Sequence, residues 1–109
     1  MTGQQQRPIS ERFRVIAERW VAQNSKASLL EESKTAFLSQ KKKALGDMPD
    51  SRAETAVKAG QEWQDYLAAM VKAREEANLL KVRMEFLRMK WEEEKAANYL
   101  AGNEARLVR

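Results

Sequence analysis

Basic side chains form the two groups in this sequence that could take part in ligand chemistry. One is the consecutive triplet Lys41, Lys42 and Lys43. The other is a stripe at seven-residue spacing, Arg74, Lys81, Arg88 and Lys95. Both groups are candidate nucleic-acid contacts, because lysine and arginine neutralise phosphates. The alternative is structural: the triplet would offset a helix dipole, and the stripe would flank a packed helix. The triplet is the preferred contact, since we expect it to be better exposed.

Catalytic and metal-binding chemistry finds no support in the residue types. The chain has no His and no Cys, so the usual general base, the commonest metal ligand and disulfides are all missing. Glu92, Glu93 and Glu94 are consecutive, and helical neighbours point about 100° apart, so they cannot share one ion. No phosphate-binding glycine loop or paired nucleophile and base is present. We therefore predict no enzyme activity, no metal and no cofactor.

An apolar seam at alternating spacings of three and four residues dominates the second half of the chain. It begins at Ala56 and Ala59. Its main part is the candidate oligomer interface, formed by Trp63, Tyr66, Met70, Ala73, Ala77, Leu80, Met84, Leu87 and Trp91. A mean spacing of 3.5 residues keeps these side chains on one side of a long helix, which must be buried against other helices.

A second apolar side lies outside this seam and consists of Leu79, Val82, Phe86 and Met89. Phe86 and Met89 therefore join the candidate interface. Charges flanking the seam disfavour a simple two-stranded coil, because basic residues would meet basic residues in both orientations. We expect the seam to pack in a bundle in which the first helices supply acids such as Glu18, Glu31 and Glu32.

These patterns predict an all-α fold in a single helical domain, residues 10–109, after a flexible tail at 1–9. Helices are expected at about 11–23, 27–45 and 52–101, with an interruption at Asn24-Ser25. One bent helix over 11–45 is the alternative. Capping boxes are expected at Ser28 with Glu31 and at Ser51 with Glu54. The helices would form a hairpin that assembles into a bundle or a coiled-coil-like oligomer, because the long helix outreaches its partners.

Three stretches of the chain resemble small helical proteins of bacterial phages and prophages. They are Ala69–Asn78, Met84–Trp91 and Asn103–Leu107, within a likeness that covers about residues 46–107. The resemblance implies a role in phage DNA recombination or replication, and it transfers no functional residue.

Together these observations favour a self-associating adaptor, a homodimer or higher oligomer that binds another protein. The alternative is a nucleic-acid-binding accessory protein, favoured by the net charge of +4 and a pI near 9.5. No apolar run approaches the roughly 20 residues of a membrane span, and the N-terminus lacks a signal-peptide core. We therefore expect no membrane partner and a cytoplasmic location.

Overall fold

Residues 8–108 are described by a computed structural model, and within this range the chain is helical with no β-strand. The all-α prediction is confirmed, as is the long C-terminal helix. The part of the predicted tail up to Arg7 lies outside the described residues, and Ile9 already belongs to the first helix. The described helices are α1 (Ile9–Glu32), α2 (Lys34–Ala44), α3 (Asp50–Lys58) and α4 (Gln61–Val108).

The break between the first two helices lies at Ser33, so the predicted interruption at Asn24-Ser25 is wrong. Ser33 keeps helical angles, and its N–H donates to the Leu29 carbonyl at 2.9 Å. Its own carbonyl accepts from the Phe37 N–H at 2.9 Å. The interruption is slight, which brings α1 and α2 close to the alternative of one bent helix.

The loop after α2 begins as predicted at Gly46, whose φ of 79° suits glycine because it has no Cβ. The predicted capping box at Ser51 is wrong. Pro49 precedes α3, Ser51 lies inside its first turn, and Glu54 pairs with Lys58 at 2.9 Å instead. The fixed φ of proline suits the start of a helix without any side-chain cap.

The predicted helix over 52–101 is divided at Ala59-Gly60 and extends beyond its expected end. Glycine costs about 1 kcal/mol relative to alanine within a helix, which favours a break there. The Gln64 side-chain amide donates to the Lys58 carbonyl at 3.2 Å and so caps the end of α3. The break separates α3 from α4 and leaves α3 packed on α2.

The helices form two compact units. The first unit contains the described residues up to Trp20 and from Leu79 onward, and Leu87 is buried in it. The second unit is Val21–Asn78, which holds the end of α1, all of α2 and α3, and the start of α4. Its buried residues are Ala27, Ala53, Trp63, Ala73 and Ala77. None of the helices between residues 8 and 108 is long and apolar enough to cross a bilayer.

Candidate interaction surface

Aromatic side chains at the start of the seam pack within the chain. In the second unit the ring of Phe37, from α2, stacks on Tyr66 with centroids 4.4 Å apart and on Trp63 at 6.2 Å. Trp63 is only 5% exposed. The Tyr66 hydroxyl donates to the carbonyl of Leu30, which lies in the last turn of α1, where carbonyls lack helical partners.

Alanines continue the seam where the end of α1 meets α4. Ala27, Ala73 and Ala77 are almost fully buried, and small side chains let two helix backbones approach closely. Met70, between the aromatic and the alanine layers, is half-buried. Leu30 faces Tyr66 while Asn24 faces Arg74, so the two helix segments run antiparallel in this unit. From Trp63 to Ala77 the seam residues are therefore covered within the chain, whereas Ala56 and Ala59 are exposed.

Arg74, a candidate nucleic-acid contact, is held by three side chains of α1. Its guanidinium donates to Glu31 at 2.7 and 2.9 Å, to Asn24 at 2.7 Å and to Ser28 at 3.4 Å. Asn24 and Ser28 lie inside α1, so the capping box predicted at Ser28 is wrong, and both side chains bond Arg74 instead. The hydrogen bond from Arg74 lowers the pKa of the Glu31 carboxylate, and the same bond raises the pKa of Arg74.

The expected acidic partners of the stripe are only partly in place. Glu31 is such a partner, as expected. Glu18 instead accepts from Arg14 of its own helix at 2.8 Å, and Glu32 is exposed.

Two of the three lysines of the triplet form ion pairs within the chain. Lys41 pairs with Glu62 at the start of α4, and Lys42 pairs with Asp50 at the start of α3. Lys43 is exposed and makes no ion pair with any described residue. The expectation that the triplet is better exposed than the stripe is wrong for Lys41 and Lys42, which are half-buried, whereas three of the four stripe residues are exposed. The acidic partners of Lys41 and Lys42 lie on other elements, which only the folded chain brings close.

In the first unit the seam residues are less completely buried, and the last of them is exposed. Leu80 and Met84 are half-buried, Leu87 is buried, and Trp91 is 44% exposed with the Lys95 ammonium 4.5 Å from its ring centroid. A cavity of about 260 Å³ opens here, lined by Ile9, Ser10, Phe13, Leu87, Arg88 and Trp91. Arg88 thus borders an apolar cavity, while Lys81 lies exposed without an ion pair among the described residues.

The second apolar side of α4, which we call the outer face, consists of Leu79, Val82, Phe86 and Met89. These side chains are 51%, 60%, 62% and 54% exposed, so at least half of each one is accessible to solvent. At about 100° per residue they lie roughly opposite Met84 and Leu87. Singly exposed apolar residues are ordinary, whereas larger contiguous apolar patches are rare on monomeric soluble proteins.

Groups suited to metal binding do not gather in the part of the chain that the structure describes: no three acidic side chains come together. Glu92, Glu93 and Glu94 are all exposed. The chain matches no protein-family model, no curated protein and no solved structure.

Proposed function

We propose that this protein is a non-enzymatic, self-associating helical adaptor and that the outer face of α4 is its self-association surface. The observation that carries the proposal is the exposure of four large apolar side chains opposite the side of the helix that packs inside the chain. Covering the exposed half of each side chain would stabilise by about 1 kcal/mol, as much as the best exposed ion pairs.

The wider seam is a weaker candidate for this role. Trp63, Ala73, Ala77 and Leu87 are buried within a single chain, and a second copy reaches them only by displacing the chain's own helices. Phe86 and Met89, which belong to the outer face, remain the best-supported members of the expected interface.

The experiment that tests the proposal compares two double variants by multi-angle light scattering. Val82→Ser with Phe86→Ser should shift the protein toward the monomer mass of 12.6 kDa without loss of helicity. The control, Val21→Ser with Leu29→Ser, removes side chains of α1 that are 56% and 64% exposed and should leave the mass unchanged. Equal effects of both variants would contradict a role specific to the outer face.

Binding of a different protein completes the adaptor proposal. The end of α4 supports it, because Tyr99 and Leu100 are 71% and 59% exposed. The resemblance to phage proteins suggests phage DNA recombination or replication as the setting.

Nucleic-acid binding is the second candidate function. It is favoured by the net charge of +4 and by Lys43 and Lys81, which are exposed without an ion pair among the described residues. Fluorescence anisotropy with a labelled duplex tests it. Binding that falls steeply with salt and is weakened by Lys43→Ala with Lys81→Ala would favour this candidate. Failure to bind at low salt would favour the adaptor.

A further inference from the structure

We propose that the outer faces of two copies pair in parallel and in register. Leu79 then meets Leu79 of the second copy, and Met89 meets Met89. This inference rests on the proposed self-association and adds to it the orientation and register of the two helices.

Charged residues border the outer face differently on its two edges. Arg83 and Lys90 follow Val82 and Met89 directly and form a basic edge, whereas Glu85 and Glu92 form the opposite, acidic edge. All four side chains are exposed, and none makes an ion pair with a described residue of its own chain. The outer face therefore has two positive charges along one edge and two negative charges along the other, a pattern that is complementary to a second copy of itself.

Orientation decides which edges meet. In a parallel pair related by a two-fold axis along the helices, each edge of one helix meets the opposite edge of the other. Glu85 then reaches Lys90 of the second copy, five residues further along, and the two-fold axis repeats this pair. One pair of opposite charges therefore lies on each side of the apolar core, while Arg83 and Glu92 meet the uncharged Asn78 and Ala97.

An antiparallel pair brings each edge against itself. When the apolar stretch from Leu79 to Met89 is centred on its own copy, the two-fold axis passes at residue 84. Arg83 then lies beside Arg83 of the second copy, and Glu85 lies beside Glu85. Like charges next to the apolar core disfavour this arrangement.

Disulfide trapping tests the orientation, and the chain suits it because it contains no cysteine. Leu79→Cys and Met89→Cys are prepared separately, oxidised alone and as a mixture, and separated by mass. A disulfide requires Cα atoms within about 7 Å. Residues 79 and 89 are separated by about 15 Å along a helix, so the two pairings exclude each other.

The parallel arrangement predicts that each variant cross-links to itself and that the mixture gives no mixed dimer. A mixed dimer without self-linked products would show antiparallel pairing, which overturns this inference and leaves the proposed function standing. A dimer by light scattering that cross-links in neither way also overturns the inference alone. A monomer by light scattering at every concentration up to about 1 mM overturns both proposals.

A charge exchange gives an independent readout. Glu85→Lys should raise the dissociation constant of the dimer about fivefold, and the double variant with Lys90→Glu should return it to the value of the parent chain. Glu92→Lys is the matched control, because the residue five positions further is Ala97. Failure of the double exchange to restore the dimer would contradict the parallel pairing.

Discussion

Arg74 is predicted from the sequence to contact nucleic acid, but in the structure it binds side chains of its own chain. In the sequence it is the first member of a basic stripe that resembles a phosphate-binding surface. In the structure its guanidinium is used within the chain, because Glu31, Asn24 and Ser28 accept its hydrogen bonds. The expected pairing of the stripe with an acid from the first helices is confirmed for Glu31. The contributions of Asn24 and Ser28 were not predicted, since short polar side chains are equally typical of caps and turns.

The Arg74–Glu31 pair makes stability depend on pH. Arg74 lowers the pKa of Glu31 below its ordinary value of 4.5, so the stabilisation is present above that pH and is lost as the pH falls through the lowered pKa. We expect Arg74→Gln to lower the midpoint temperature of unfolding at pH 7. The decrease should be smaller at a second pH below the lowered pKa of Glu31, where that carboxylate is protonated. Differential scanning calorimetry at both pH values measures this.

The control for Arg74 is Lys72→Gln, which removes an exposed basic side chain from the same helix. It should shift the midpoint little and equally at both pH values. An Arg74→Gln effect that stayed constant from neutral to acid pH would contradict the role of Glu31.

At the scale of the elements, helix type was predictable and helix ends were less so. Continuous apolar periodicity predicted every long helical stretch, because it depends only on which side of a helix is buried. The break at Ser33 was missed, since its backbone stays helical and no proline or glycine marks it. The break at Gly60 had a visible signal, the only glycine before Gly102 in the predicted long helix. One glycine is often tolerated, so that signal was not decisive.

Alanines are buried where the end of α1 meets α4 in the second unit, and small side chains let two helices approach closely. Ala77 is 0% exposed, so a larger side chain there must displace its neighbours. We expect Ala77→Leu to lower the free energy of unfolding by about 1–3 kcal/mol, measured by urea denaturation. Ala69→Leu, at an exposed position of the same helix, should change it little. Equal stability of the two variants would contradict the close approach.

Glu93 limits how far the outer face extends along α4. It occupies the next position of the row after Met89, and its side chain is exposed. In the proposed parallel dimer it would face its own copy, and two like charges at a core position oppose association. We expect Glu93→Leu to tighten the dimer at least about fivefold, measured by sedimentation equilibrium.

Glu94→Leu is the control for Glu93, because helical neighbours point about 100° apart and Glu94 lies off the row. It should leave the dissociation constant near that of the parent chain. A Glu93→Leu variant that associates no more tightly than Glu94→Leu would contradict the outer face as the contact.

At the scale of the whole molecule, the basic composition overstates how many basic side chains are available to bind nucleic acid. The net charge of +4 counts Lys41, Lys42 and Arg74, each of which is paired with an acid within the fold. Those partners come from other helices, so the sequence alone could not identify them. The outer face, in contrast, was predictable, because four apolar residues at helical spacing lie outside the seam that the chain's own helices cover.

Molecular mass as a function of concentration tests the central claim most directly. Sedimentation equilibrium of the unmodified chain between about 10 µM and 1 mM covers contacts of roughly 4–7 kcal/mol. We predict an average mass that rises with concentration from 12.6 kDa toward twice that value, with helicity unchanged. A fully helical monomer at every concentration in this range would contradict self-association through the outer face.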